Sequence, residues 1–214
     1  MALSKNAQSI YSQISSGTPK FGDLKKIGKT IKRDHDLAME LWSTGEYFPR
    51  LLAVLIMDKK MLTQELMDDL ASDLSTNDYE QRNLIADWLL ANQLMKSKKT
   101  TALIESWDHH PSPILRRLFW YHQARLRWTG QNPPDNTSDL LTSLETNMET
   151  AEPEVQWAMN FSAGQIGIHE PTYRDQCIKL GERVGLYKDD PVPRGCTPSY
   201  LPEFIRIEAA KWEK

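Results

Sequence analysis

The stretch NDYEQRNLIADWLLANQL (77–94) gathers Asp78, Glu80, Gln81, Arg82 and Asn83 before its apolar residues begin. Leu84, Ile85, Trp88, Leu89 and Leu94 then recur at spacings that fit one buried helical face. Tyr79 and Asn83 are four apart and share a face one turn below that core. A second cluster lies in PILRRLFWYHQARLRW (113–128). Arg117, Tyr121 and Arg125 fall at i, i+4 and i+8 and form one stripe. Arg116, Trp120 and Arg127 give another mixed basic and aromatic face. A third cluster is basic: Lys20, Lys25, Lys26, Lys29, Lys32 and Arg33, with Lys25 and Lys29 on one face. Arginine forks suit phosphate, and aromatic rings stack on bases or sugars. The competing reading of each cluster is a solvated helix face with local ion pairs.

Other chemistries find little support. The five histidines, His35, His109, His110, His122 and His169, sit in no metal-ligand spacing. His109 and His110 precede Pro111 at a helix entry, and adjacent side chains point apart rather than converge on an ion. No GxSxG elbow and no Cys–His signature occurs. Gly164 and Gly167 in SAGQIGIHE follow no strand, so a nucleotide loop is not expected. Cys177 and Cys196 have neither metal nor redox spacing and are read as reduced thiols. No cofactor or metal is expected. The net charge of −3 excludes a uniformly cationic surface, so nucleic-acid binding needs the charges sorted onto one face. No signal-like or membrane-spanning apolar run appears, which suggests a cytoplasmic protein without a membrane partner.

The elements that must position these clusters are helical. Alternating β-branched runs are absent, and helical periods recur over 4–15, 22–32, 35–43, 46–58, 62–74, 78–96, 98–108, 112–128, 136–149, 152–166, 170–187 and 199–213. Ser16–Gly17–Thr18–Pro19, Gly45 and His110–Pro111 separate successive runs, and Gly130, Pro133 and Pro134 close the arginine helix. Pro153 and Pro171 sit near helix starts, where a missing N–H costs nothing. Short connections favour antiparallel neighbours, and the pairs recur about every 35–40 residues, as in two-helix repeats. The expected fold is all-α: an α-solenoid of antiparallel helix pairs of HEAT or ARM type, whose concave face binds partners. One helical-repeat domain is expected over 1–214. Residues 1–19 would form an N-terminal helix and loop, and 188–214 a C-terminal tail and last helix. Seven tryptophans suit a packed core as well as a ring-lined groove.

At this point the sequence resembles the AlkD-like DNA alkylation repair family. HDLAMELWSTGEYFPRLLAVLIMD (35–58) is similar to its second-repeat region through Ala38, Leu41–Trp42, Glu46, Arg50 and Leu52–Ala53. The helix at 77–94 falls where the family has its active-site helix, and PILRRLFWYHQA (113–124) follows as its arginine helix would. VGLYKDDPVPRGCTPSYLPEFI (184–205) resembles a C-terminal tail of one bacterial branch. The likeness covers roughly residues 20–205.

The resemblance implies a superhelix of HEAT-like repeats with a basic, aromatic-lined concave face. It implies a monomer that acts on double-stranded DNA, alkylated or structured. Active members are glycosylases that remove N3- and N7-alkylated purines without a metal and without flipping the base into a pocket. Their carboxylate stabilises the cationic sugar, and flanking rings help by cation–π contact. The family's aromatic residue and catalytic Asp, one turn apart, fall on Tyr79 and Asn83. Its phosphate-gripping Arg falls on Arg117, and its second aromatic wall on Phe161 in WAMNFSAG. Lys25, Lys29 and Lys32 would add phosphate contacts.

The acid is thus replaced by its amide. Asn orients a water but carries no charge, and losing an ion beside a developing cation could cost several kcal/mol. That corresponds to two or more orders of magnitude in rate. An alignment shifted by one turn would put Asp78 or Asp87 near the site; Asp87 lies about 40° round the helix from Asn83. Two readings follow: an N-alkylpurine glycosylase or slow relative of one, and a catalytically silent module that recognises DNA structure or a protein partner.

Overall fold

The computed structural model describes residues 3–130 and 135–212. Twelve α-helices run in chain order, with no strand among the described residues: α1 (Lys5–Ser15), α2 (Phe21–Ile31), α3 (His35–Trp42), α4 (Tyr47–Ile56), α5 (Gln64–Leu74), α6 (Tyr79–Asn92), α7 (Lys98–Glu105), α8 (Pro113–Trp128), α9 (Thr137–Asn147), α10 (Pro153–His169), α11 (Arg174–Val184) and α12 (Leu201–Trp212). Each expected helical run overlaps one of them, and the all-α class holds. The expected stop at Pro133–Pro134 lies outside the described residues. No described helix is long and apolar enough to cross a membrane.

Local chemistry sets the starts. Ser4, Asp34, Thr63, Asp78 and Ser97 each accept a backbone N–H at the start of α1, α3, α5, α6 and α7. Pro113 and Pro153 occupy first-turn positions of α8 and α10. Among the boundaries that depart from the sequence reading, two have a visible cause. α6 ends at Asn92 and a 3-10 turn, Leu94–Lys96, follows. The break frees Gln93 to donate through Nε2 to the Val54 and Met57 carbonyls at the end of α4, at 2.6 and 3.2 Å. α11 starts at Arg174 because Pro171–Tyr173 first forms a 3-10 turn.

The chain divides into two compact units, Met1–Trp107 and Asp108–Lys214. In the first unit α2 packs on α4 and α4 on α6, while α1 packs on α3 and α3 on α4. Four residues separate α3 from α4, so α4 must return along α3. The unit is pinned by Arg50, which is 3% exposed. Its guanidinium donates to the carbonyls of Trp42 and Asp73, to Thr76 Oγ1 and to Asn77 Oδ1. It also lies 5.0 Å from the Trp42 ring, whose Nε1 donates to Asp73. Burial pushes the Arg50 pKa down, and the Asp73 carboxylate opposes that shift.

In the second unit α8 packs on α10 and α10 on α12, with α9 and α11 against α10. Gly164 and Gly181 let α12 lie close. A Cβ at Gly164 would stand 2.6 Å from the Phe204 ring, and one at Gly181 2.7 Å from Leu201. These glycines serve helix packing. Arg127 is buried and pairs with Glu170, Thr137 and the Gln123 carbonyl.

His122 on α8 is buried with neither ring nitrogen hydrogen-bonded. Burial, assisted by the Arg125 charge, lowers its pKa to about 4. The unfolded imidazole binds a proton near pH 6.5. Between pH 6.5 and 4 the unfolded chain therefore holds the extra proton, and stability falls as pH falls, by at most ~1.4 kcal/mol per pH unit. Urea unfolding at pH 7.5 and 4.5 should show this loss, and His122→Phe should flatten that part of the profile. An unchanged profile in the variant would remove His122 as its source.

Candidate nucleic-acid interface

The first unit offers one face of α6. Asp78 caps the helix, accepting from the Gln81 N–H at 2.8 Å, so its carboxylate is occupied by the backbone. Tyr79 is 42% exposed, with the Arg82 guanidinium 5.2 Å from its ring. Asn83, one turn on, is only 8% exposed, and its Oδ1 is buried without a hydrogen-bond partner. Tyr79 is available for stacking, whereas the amide oxygen faces protein. Asp87 follows, half-buried.

Another side of α6 meets α2 through Trp88. The Phe21 ring lies 5.3 Å from that of Trp88, and Lys25 Nζ stands 5.1 Å from the Trp88 ring. Trp88 is held by donation from its Nε1 to the Leu51 carbonyl at 3.1 Å. Lys25, Lys29 and Lys32 are all exposed. Lys32 lies just past α2 with φ 68, at its C-terminal cap. Lys25 is thus joined to α6 through an aromatic ring, a contact to which the separation of 63 residues gave no clue.

The second unit offers a ring cluster on α8 and α10. Phe161 lies 5.4 Å from Trp157 at an interplanar angle of 14°, and 5.7 Å from Tyr121. Trp128 stands 6.2 Å away on one side and Phe204 of α12 6.1 Å on another. Two arginines are set among these rings. The Arg117 guanidinium lies 4.6 Å from the Trp157 ring, and that of Arg125 lies 5.4 Å from Trp128 and 5.9 Å from Tyr121. Arg117 is 4% exposed and donates to the Glu154 carbonyl at 3.2 Å. Arg125 is half-buried, and Trp128 is 46% exposed. Arg125 is therefore the more open of the two cations.

The stripe of Arg117, Tyr121 and Arg125 is assembled as its spacing suggested. The other face of α8 is corrected. Trp120 and Arg127 are buried, and Arg116 is tied to Glu152 and to the His110 carbonyl. Those three residues pack the unit because they meet α9, α10 and the turn before α8. Sequence reasoning passed over Trp157, although Trp157 and Phe161 stand four apart within WAMNFSAG. It also left the tail unplaced. The Ser199 carbonyl accepts from Asn160 Nδ2 at 2.9 Å, which draws 197–199 against α10 beside Trp157 and Phe161. Among the described residues no group of three or more His, Cys, Asp or Glu could hold a metal ion. His110 Nδ1 accepts a backbone N–H, and Cys177 is a buried free thiol whose pKa burial raises to about 12.

Comparison with known proteins matches this arrangement to one family. A solved structure, described as a new family of proteins related to the HEAT-like repeat DNA glycosylases with affinity for branched DNA structures, aligns with a TM-score of 0.65. The alignment covers 98% of this chain and 88% of that one at 19% identity, so the two share a fold. No curated protein gives a significant match. The family model described as DNA alkylation repair enzyme matches residues 19–211, across both units, and the chain belongs to that family.

Proposed function

We propose that this protein binds DNA of non-duplex structure and has set aside the N-glycosylase chemistry of its family. One observation carries the reading: the Oδ1 of Asn83, the residue on which the resemblance places the family's catalytic Asp, is buried and unpartnered. A neutral amide turned into protein neither balances a cationic sugar nor holds an attacking water. The aromatic and basic equipment for nucleic acid remains. Tyr79, Lys25, Lys29 and Lys32 stand on the first unit. Arg117, Tyr121, Arg125, Trp128 and Phe161 stand on the second. Exposed rings suit DNA whose bases are unstacked, as at a junction, because stacking needs a free base face. The structural relative described as having affinity for branched DNA supports the same choice.

A second reading, a slow alkylpurine glycosylase, keeps one foothold. Asp87 lies one turn beyond Asn83 and is half-buried, so an acid does stand near the altered position.

Binding of a four-way junction and of a linear duplex, measured across a salt series, tests the proposal. The expected result is preference for the junction and a steep fall of affinity with salt, at ~0.9 in log–log slope per phosphate contact. Arg125→Ala should lower that slope by about one. In parallel, methylated duplex should release no N3- or N7-methylpurine. Release by the wild-type protein would move the assignment to the glycosylase. No binding at low salt would remove DNA as the partner and leave a protein-interaction scaffold.

A further inference from the structure

Resting on that DNA-binding reading, we propose that Phe21, backed by Trp88 and flanked by Lys25 and Lys29, is a stacking step for a single-stranded arm of branched DNA. This role is not implied by the family resemblance, which gives the lysines phosphate contacts and assigns nothing to either ring.

Three helices of the first unit build the patch. Phe21 opens α2 and is 43% exposed. Its ring lies 5.3 Å from that of Trp88, tilted by 41°. Trp88 comes from α6, is half-buried, and is anchored on α4 by its bond to the Leu51 carbonyl. α2 is held just as closely to α4. Leu24 is buried, and a Cβ at Gly28 would stand 3.1 Å from Leu55. The Phe21 ring is thus supported from behind while nearly half of its surface stays open. Trp88 stands nine residues past Tyr79, about half a turn round α6, so the patch is separate from the Tyr79–Asn83 face.

Charge surrounds the open ring. Phe21, Lys25 and Lys29 fall at i, i+4 and i+8 and share one stripe of α2. Lys25 Nζ stands 5.1 Å from the Trp88 ring. Lys20, Lys25, Lys29 and Lys32 are all exposed, whereas Lys26 pairs with Asp23 and Arg33 with Asp58. Asp23 is the one acid between residues 20 and 33, so this segment is strongly positive in a chain whose net charge is −3. Such sorting of charge is what an overall acidic protein needs in order to hold a polyanion.

The ring decides which polyanion. A paired duplex presents phosphates, and its bases are already stacked on one another, so lysines alone would serve it. A single strand presents phosphates and free base faces together, and an exposed ring beside ammonium groups meets both. Every base has such a face, so the step selects unpaired strand and not base identity.

The test uses the full chain and a forked duplex with one single-stranded arm, read by fluorescence anisotropy. A second fork carries abasic residues along that arm, which keeps the phosphates and removes the bases. A four-way junction with every arm paired is the reference. The wild-type protein is expected to favour the base-bearing fork over the abasic one by roughly 5- to 100-fold, the worth of one stacked base. Phe21→Ala should erase that preference and leave abasic-fork affinity and the salt slope unchanged. Phe21→Leu keeps apolar packing against Trp88 without the ring. It serves should the alanine variant fail to fold, and it should erase the preference too. Lys25→Gln should keep the preference and lower the salt slope by about one. Equal wild-type affinity for the two forks would overturn the stacking step. So would a preference that survives in either folded ringless variant, or a loss in those variants that is equal on both forks, as lost packing would give. With junction binding intact, these outcomes leave the DNA-binding reading standing. No binding to the forks or the junction would overturn both.

Discussion

Arg50→Ala is expected to lower the unfolding free energy of the first unit by ~2–4 kcal/mol, the cost of losing buried charge-assisted hydrogen bonds together with the packing of the side chain. Five contacts depend on this guanidinium. It holds the Trp42 carbonyl at the end of α3, the Asp73 carbonyl near the end of α5, and Thr76 and Asn77 in the turn before α6. It also covers the Trp42 ring. Alanine leaves buried Asn77 Oδ1 without this donor, while the Trp42 and Asp73 carbonyls keep backbone donors and Thr76 stays exposed, so the upper sum is that of the lost charge-assisted bonds, ~1.5–3 kcal/mol each. Some collapse will offset part of the sum, which places the total below it. Lysine at this position should recover only a fraction, since a single ammonium cannot reproduce the planar fork. Urea unfolding followed by tryptophan fluorescence reports the change. A loss below ~1 kcal/mol, the scale of an ordinary surface pair, would show that Arg50 is not the pin of this unit.

That expectation bears on what the resemblance was made of. Leu41–Trp42, Arg50 and Leu52–Ala53 were among the residues that carried it, and in the structure they are core. Trp42 and Arg50 join three helices and touch no candidate interface. A family likeness of this kind speaks to architecture, because it rests on residues that fix how α3, α4, α5 and α6 meet. On the proposed reading, function turns instead on positions such as Asn83, where the resemblance places the family's acid.

The helices were legible because each has a strong local cause. Apolar periodicity marks their buried faces, and Ser, Thr and Asp caps or prolines mark their starts. Departures arose where a distant group intervened. Gln93 leaves the helical path to satisfy two carbonyls of α4, 36 and 39 residues away in sequence. The candidate interface was legible where its members share a helix, as with Arg117, Tyr121 and Arg125. It was illegible where members come from separate helices. Nothing in the spacing of Phe21, Lys25 and Trp88 signals that α2 and α6 bring them together. The tail likewise could not be placed, because the bond that sets it against α10 joins Asn160 to a backbone carbonyl, which any residue type supplies. The same helical repeat misled on Arg116, Trp120 and Arg127. A mixed basic and aromatic face reads alike whether it meets solvent or packs against neighbours with acids of their own, here Glu152 and Glu170.

The second large effect concerns Asn83→Asp, which puts an acid where the resemblance places the family's. The expected result is no gain in methylpurine release at neutral pH, together with a marked loss of stability. The side chain is 8% exposed and its oxygen has no donor to meet. A carboxylate there trades water for protein without compensation, so its folded pKa must rise above the ordinary value of ~3.9. For an acid raised in the folded state, the unfolded chain loses its proton first. The stability of the variant is then undiminished below pH ~3.9, falls as pH rises above it, and levels off once the folded acid also ionises. A rise of about two units makes the loss ~3 kcal/mol at pH 8, and that loss should vanish near pH 4. Paired urea titrations of wild type and variant at the two pH values measure it. Turnover by the variant would mean that the acid ionises beside the sugar, so the site still supports glycosylase chemistry and lacks only its charge. Silence with the predicted pH-dependent loss would mean that burial of position 83, as well as the change of residue type, separates this chain from that chemistry.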